Sequence, residues 1–174
     1  GFYSDGEYQT DKLVARHPDV RFMELGRSCV LPDYRSKRTV ELLWQGNWAY
    51  ALKHNIGVMF GCASFHGTNP QDHAMALSFL HHNARATGEW AVNARPELAV
   101  DMNLMNAEEA SGRRALTGLP PLIKGYLRLG AMVGEGAVID HAFNTTDVLV
   151  VLPIASISDR YINYYGADAG RFAS

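Results

Sequence analysis

The chain has 174 residues, of which 47% are apolar and 20% charged, and a formal charge of −2. A chain of that length buries a core without disulfides or structural metal, and those proportions exclude wholesale disorder. The charge lacks the strong basic excess of a nucleic-acid-binding domain, and no apolar run reaches the roughly 20 residues a membrane-spanning helix needs.

Length predicts a single domain over residues 1–174, with a polar tail from 156 onward. The chain opens on GFYSDGEY without a methionine, which reads as the interior of a longer protein. Cys29 and Cys62 both lie within apolar runs, the pattern of buried thiols in a reducing, cytoplasmic compartment.

Residues 1–20 are polar and interrupted by Gly1, Gly6 and Pro18, so they read as a lead-in with a helical turn over 10–15. Over 21–30 the alternation predicts a strand. Phe22, Glu24, Gly26, Ser28 and Val30 fall on one face; Met23, Leu25, Arg27 and Cys29 fall on the other. Pro32, Asp33 and Tyr34 turn the chain, and Asp33 or Ser36 can cap the helix that follows. That helix carries an apolar stripe of Val40, Leu43, Trp44, Trp48, Ala51 and Leu52. Residues 56–65, IGVMFGCASF, suit a strand buried on both faces, and strand, helix and strand in this order imply a parallel pair.

A second helix follows Pro70, with Ala74, Leu77, Leu80 and His81 on one side. Between 84 and 118 the pattern allows strands at 90–94 and 98–102 and a surface helix at 107–116. A helix over 119–129 places Leu122, Ile123 and Tyr126 toward the core. Strands at 137–140 and 147–154 flank a turn at Asn144, and the last residues read as mobile.

Chemistry concentrates between residues 21 and 44. Glu24 in mid-strand loses hydration and becomes a candidate general base, or forms a structural ion pair with Arg27. Arg35, Lys37 and Arg38 surround a helix N-terminus, whose free N–H groups and dipole attract anions; the alternative is a solvated first turn. His73, His81 and His82 lack partners at zinc-ligand spacing, so no metal site is read. No G-x-S-x-G elbow accompanies Asp140 and His141, and Cys62 has no cation near it in sequence. Lys124 and Arg128 read as solvent-facing.

The run VLPDYRSKRTVELL resembles the acyl-donor-binding motif of the GNAT N-acyltransferase superfamily. Over a longer span, ELGRSCVLPDYRSKRTVELLW, GCASFHGT, LSFLHH and LPPLIKGYLRLGAMVGEGAVIDHAFNTTDVLVVLPI are together similar to the ornithine-lipid-forming, hemolysin-like ornithine N-acyltransferases. Autoinducer synthases share a shorter E-x-x-R echo. The resemblance implies an α/β (α+β) GNAT-like fold with a central mixed sheet flanked by helices, lacking N-terminal strands that the relatives carry.

It implies transfer of a 3-hydroxyacyl chain from acyl carrier protein to the α-amine of ornithine, with no bound cofactor. It maps the catalytic acid and arginine of the strand onto Glu24 and Arg27. Donor binding falls to Ser28, Cys29, Val30, Leu31, Arg35, Ser36, Lys37, Arg38 and Thr39. Here Arg38 and Val40 stand where the general GNAT loop has glycines, which crowds a diphosphate and favours a carrier-protein arm over coenzyme A. Acidic carrier protein and ornithine are the implied partners, with peripheral contact at the inner membrane suggested by a lipid product. Asp101, Asp140 and Asp147 are unranked candidates for the distal amine. Rival readings are an N-acyltransferase for another amino acid or an autoinducer-type amine, and a non-catalytic acyl- or carrier-protein-binding module.

Overall fold

The computed structural model describes residues 1–166. The expectation of a mobile C-terminus falls largely outside them. Helix α1 (Thr10–Ala15) is followed by β1 (Arg21–Glu24), α2 (Lys37–Lys53), β2 (Ile56–His66) and α3 (Ala74–Asn83). Then come β3 (Ala99–Val100), α4 (Gly112–Gly118), α5 (Pro121–Arg128), β4 (Met132–Val133), β5 (Ala137–Asp140), β6 (Thr145–Pro153) and α6 (Asp159–Gly166). The sheet runs β1-β2-β6-β5-β3, with β4 also paired to β6. β1 and β2 are parallel, as the strand–helix–strand order requires, and the other pairings are antiparallel.

Side-chain alternation along β2 and β6 divides the interior in two. Met59, Ala63, Phe65, Val148, Val150 and Leu152 meet α2, α3 and α5 through Trp48, Leu77, Leu80 and Ile123. Val58, Phe60, Leu149 and Val151 face the other way, where Tyr8, Leu13, Val92 and Ala94 cover them. The first twenty residues therefore form a layer of the fold and not a lead-in. Tyr8 is fully buried, with its hydroxyl 3.0 Å from both the Gly136 and Asp147 carbonyls.

Further expectations are corrected. The first strand stops at Glu24: Leu25 still donates its N–H to the Phe60 carbonyl at 2.7 Å, but residues 26–31 run free of the sheet. Leu25 crosses over Gly61, where an added Cβ would stand 2.0 Å from the Leu25 carbonyl oxygen. Only glycine permits this approach. Cys29, carried out with the departing segment, is exposed, whereas Cys62 is half-buried; both are free thiols.

The stripe of α2 is also narrower than its sequence suggests. Trp44, Trp48 and Ala51 pack inward, while Val40, Leu43 and Leu52 are exposed. Leu43 and Leu52 lie to either side of the line along which the helix meets the sheet, and Val40 stands in the first turn of α2. On α5, Ile123 is buried and Tyr126 partly so, but Leu122 faces outward. Finally, residues 90–94 form isolated bridges at Asn93 and Ala94, and the predicted 98–102 strand shortens to β3. The surface helix begins only at Gly112.

Candidate active site

Where β1 parts from β2, a cavity of about 580 Å³ opens between the sheet, the departing segment and the turn after β5. Glu24, Arg27, Ser28 and Cys29 line it together with Cys62, Ser64, Asp140 and Asp147. Glu24 reaches this face because it follows Phe22 by two positions in β1. Its carboxylate accepts the Tyr3 and Ser4 backbone N–H groups, each at 2.8 Å, and the Ser4 hydroxyl. A carboxylate offers about four lone-pair directions, so one remains for an incoming N–H. Ser4 and Tyr3 belong to the layer read from sequence as a lead-in, and nothing local in their residue types signalled this contact.

Arg27 stands at φ +51° and holds its guanidinium 5.5 Å from the ring centroid of Phe143, which also lines the cavity. A left-handed arginine is unfavourable by roughly 1–2 kcal/mol, so the turn that points it there is imposed by its surroundings. Arg27 and Glu24 thus share the cavity, with Glu24 bonded to backbone N–H groups.

The donor residues divide. Ser28 and Cys29 line the cavity. Beyond them the loop is tied to itself: Arg35 donates through Nε to the Val30 carbonyl at 2.9 Å, and Thr39 donates its hydroxyl to the Tyr34 carbonyl at 2.6 Å. Ser36 caps α2 by accepting the Thr39 N–H at 3.2 Å. Leu31, Arg35, Ser36 and Arg38 are exposed around this helix start, and Lys37 is its first residue.

Three further carboxylates gather at this cavity, two of them, Asp140 and Asp147, in its lining. Carboxylate oxygens of Glu7, Asp140 and Asp147 lie within 4.8 Å of one another. Cys62 donates its S–H to Glu7 Oε2 at 3.2 Å. Burial pushes the Cys62 thiol well up, and the neighbouring Glu7 and Asp147 charges add to this, so the sulfur stays protonated and is no nucleophile. Glu7 is itself raised above the usual carboxylate range, chiefly by burial; the Cys62 hydrogen bond opposes the shift, and Asp147 and Asp140 reinforce it.

The histidines stand elsewhere. His81 contacts Glu135 through Nδ1 at 3.0 Å, His82 contacts the Met105 carbonyl, and His73 contacts the His66 carbonyl. Lys124 and Arg128 line a separate cavity of about 650 Å³ with Arg85 and Arg113.

The sequence profile of the acetyltransferase (GNAT) domain matches residues 1–45, the span that carries Glu24 and the basic loop. With β1 and β2 parallel and helices flanking a mixed sheet, the fold is GNAT-type. The chain is 70% identical over 174 residues to the L-ornithine N(alpha)-acyltransferase of Rhizobium meliloti, covering 100% of this chain and 59% of that protein. It is 67% identical over 171 residues to the protein of the same name from Agrobacterium fabrum, and 62% identical over 172 residues to that of Brucella abortus. Those alignments cover 98% and 99% of this chain, and 58% and 61% of the relatives. The chain is a homologue of these proteins along its whole length. It spans about three fifths of the length of the curated relatives it matches. No solved structure matches it.

Proposed function

We propose that the cavity at the parting of β1 and β2 is where an acyl chain passes from a thioester to the α-amine of ornithine. The supporting observation is the high identity, over all of this chain, to proteins named L-ornithine N(alpha)-acyltransferase. The cavity provides the chemistry the reaction needs. An amine is mostly ammonium at neutral pH and must lose a proton before it attacks. Glu24, directly or through water, takes that proton. The neutral nitrogen then attacks the thioester carbonyl carbon, and N–H groups of the free backbone at 26–31 stabilise the oxyanion that forms. Collapse breaks the C–S bond, the thiolate leaves and is protonated, and the nitrogen sheds its second proton to give amide and free thiol.

In this reading the donor arm lies along residues 28–31, with Arg35, Lys37 and Arg38 near its phosphate. The donor is an acyl carrier protein. Exposed Leu31, Tyr34, Val40 and Leu43 beside Arg35 and Arg38 suit an acidic partner with an apolar contact patch. Among the described residues no helix is long and apolar enough to cross a membrane; the reading places any membrane contact at the periphery because the product is a lipid.

The test is mass spectrometry of products formed from 3-hydroxyacyl carrier protein, or acyl-coenzyme A, with a panel of amines. N-acyl-ornithine formed faster from the carrier protein supports the reading. Carrier-protein binding without product replaces it with a binding module, and a different amide replaces the acceptor.

A further inference from the structure

Among the described residues, the carboxylates of Glu7, Asp140 and Asp147 meet without an evident counter-charge, and the two aspartates line the solvent-open cavity. The charges acting on Glu7 are those of Asp147 and Asp140, both negative. Asp147 is 6% exposed, and its Oδ1 has no hydrogen-bond partner. Thr145, two positions earlier on the same face of β6, likewise leaves Oγ1 buried and unpartnered. Both residues line the cavity. An orphaned buried carboxylate oxygen is costly unless a ligand completes it. Asp140 is held in place by accepting the Ala142 and Phe143 N–H groups through Oδ1 at 2.7 and 3.0 Å. Glu7 is fixed by the Cys62 thiol.

We infer that Glu7, Asp140 and Asp147, with the Thr145 hydroxyl beside them, form the subsite that takes the side-chain ammonium of a diamino acid acceptor. An ammonium carries three donors and no acceptor, which matches three converging carboxylates. Magnesium or calcium would demand six or more oxygens, and one of these carboxylates is already engaged by a thiol. Glu24, Asp140 and Asp147 line one cavity, so an acceptor anchored there by its distal amine presents its α-amine in the same cavity as Glu24. The inference rests on the N-acyltransferase reading for its choice of ligand, and it adds the residues that select the acceptor.

The experiment titrates the chain by calorimetry with ornithine and with norvaline, which has the same carbon skeleton without the distal amine. The expected preference for ornithine is about 100-fold, since losing one charged partner of a desolvated pair is heavily penalised. D147N and D140N should each cut that preference at least about tenfold while leaving circular dichroism unchanged. If D147N fails to fold, the half-exposed Asp140 carries the test alone. A wild-type preference near unity, or one that neither variant lowers, overturns the subsite. So does calcium or magnesium binding that D147N abolishes while ornithine affinity persists. Parallel product assays keep the two claims apart. Ornithine selectivity without amide product leaves the subsite standing and removes the transfer reaction, whereas product without selectivity removes the subsite alone.

Discussion

On the helix side of the sheet, Met59, Ala63, Phe65, Val148, Val150 and Leu152 pack against α2, α3 and α5 in a continuous apolar layer. On the other side the same two strands present Cys62, Ser64, Thr145 and Asp147 beside Phe60 and Leu149, under a cover made from the first twenty residues and the segment around Val92. The helix side gains stability from unbroken burial. The N-terminal side gives up part of that burial to hold polar groups at a cavity. One strand pair can do both because successive side chains point to opposite faces, so chemistry on one face leaves the packing of the other untouched.

That contrast can be broken in graded ways. Glu24→Gln should lower turnover by about 100-fold or more while changing the donor KM little. The amide also sets an NH₂ against one of the Tyr3 and Ser4 donors, so the variant should melt earlier as well. Steady-state kinetics read the first effect, and wild-type turnover would remove Glu24 from the mechanism. On the helix side, Leu77→Ala should cost about 2–5 kcal/mol, read as a shift in denaturant midpoint. Its ornithine preference should remain intact in the calorimetric titration; a loss of selectivity would show that the two faces are coupled.

Tyr8→Phe tests the cover itself. It leaves the buried Gly136 and Asp147 carbonyls without their hydroxyl donor, at about 1–3 kcal/mol, and should weaken ornithine selectivity because Asp147 loses a support. The smallest effect has the opposite sign. Because burial raises Glu7 in the folded state, its favourable contribution is complete below the ordinary value of 4.5 and is lost as pH rises through the folded value. The groups facing it are Cys62, Asp147 and Asp140. Glu7→Gln should therefore melt higher than wild type at neutral pH and match it in acid. A melting curve lower at neutral pH would reverse that assignment.

Much of the frame was legible in residues alone. The run 56–65 gave a two-face buried strand, and its parallel partner followed from a helix lying between them. Ser36 was legible as the cap of α2 because the residue type and position match the hydrogen bond it makes. The end of β1 was not. Alternation continues to Val30, but the sheet contact stops where Leu25 crosses Gly61, and such a crossing is a long-range event with no local periodicity. The exposure of Cys29 follows from the same departure.

The acidic end of the cavity was harder still. Asp140 and Asp147 could be named but not ranked, since Glu7 joins them from more than a hundred residues away. α6, at Asp159–Gly166, was hidden in what read as a polar tail.

By itself the sequence determined the parallel strand–helix–strand unit, the capped and basic start of α2, and the resemblance that names a reaction. Helical periodicity, strand alternation and capping act over a few residues, so a linear chain displays them. Only the tertiary structure decided that the N-terminal layer clamps Glu24 through Tyr3 and Ser4, and that three distant carboxylates meet. Those contacts depend on where strands part and which face each side chain takes, and both are fixed only when the sheet is assembled.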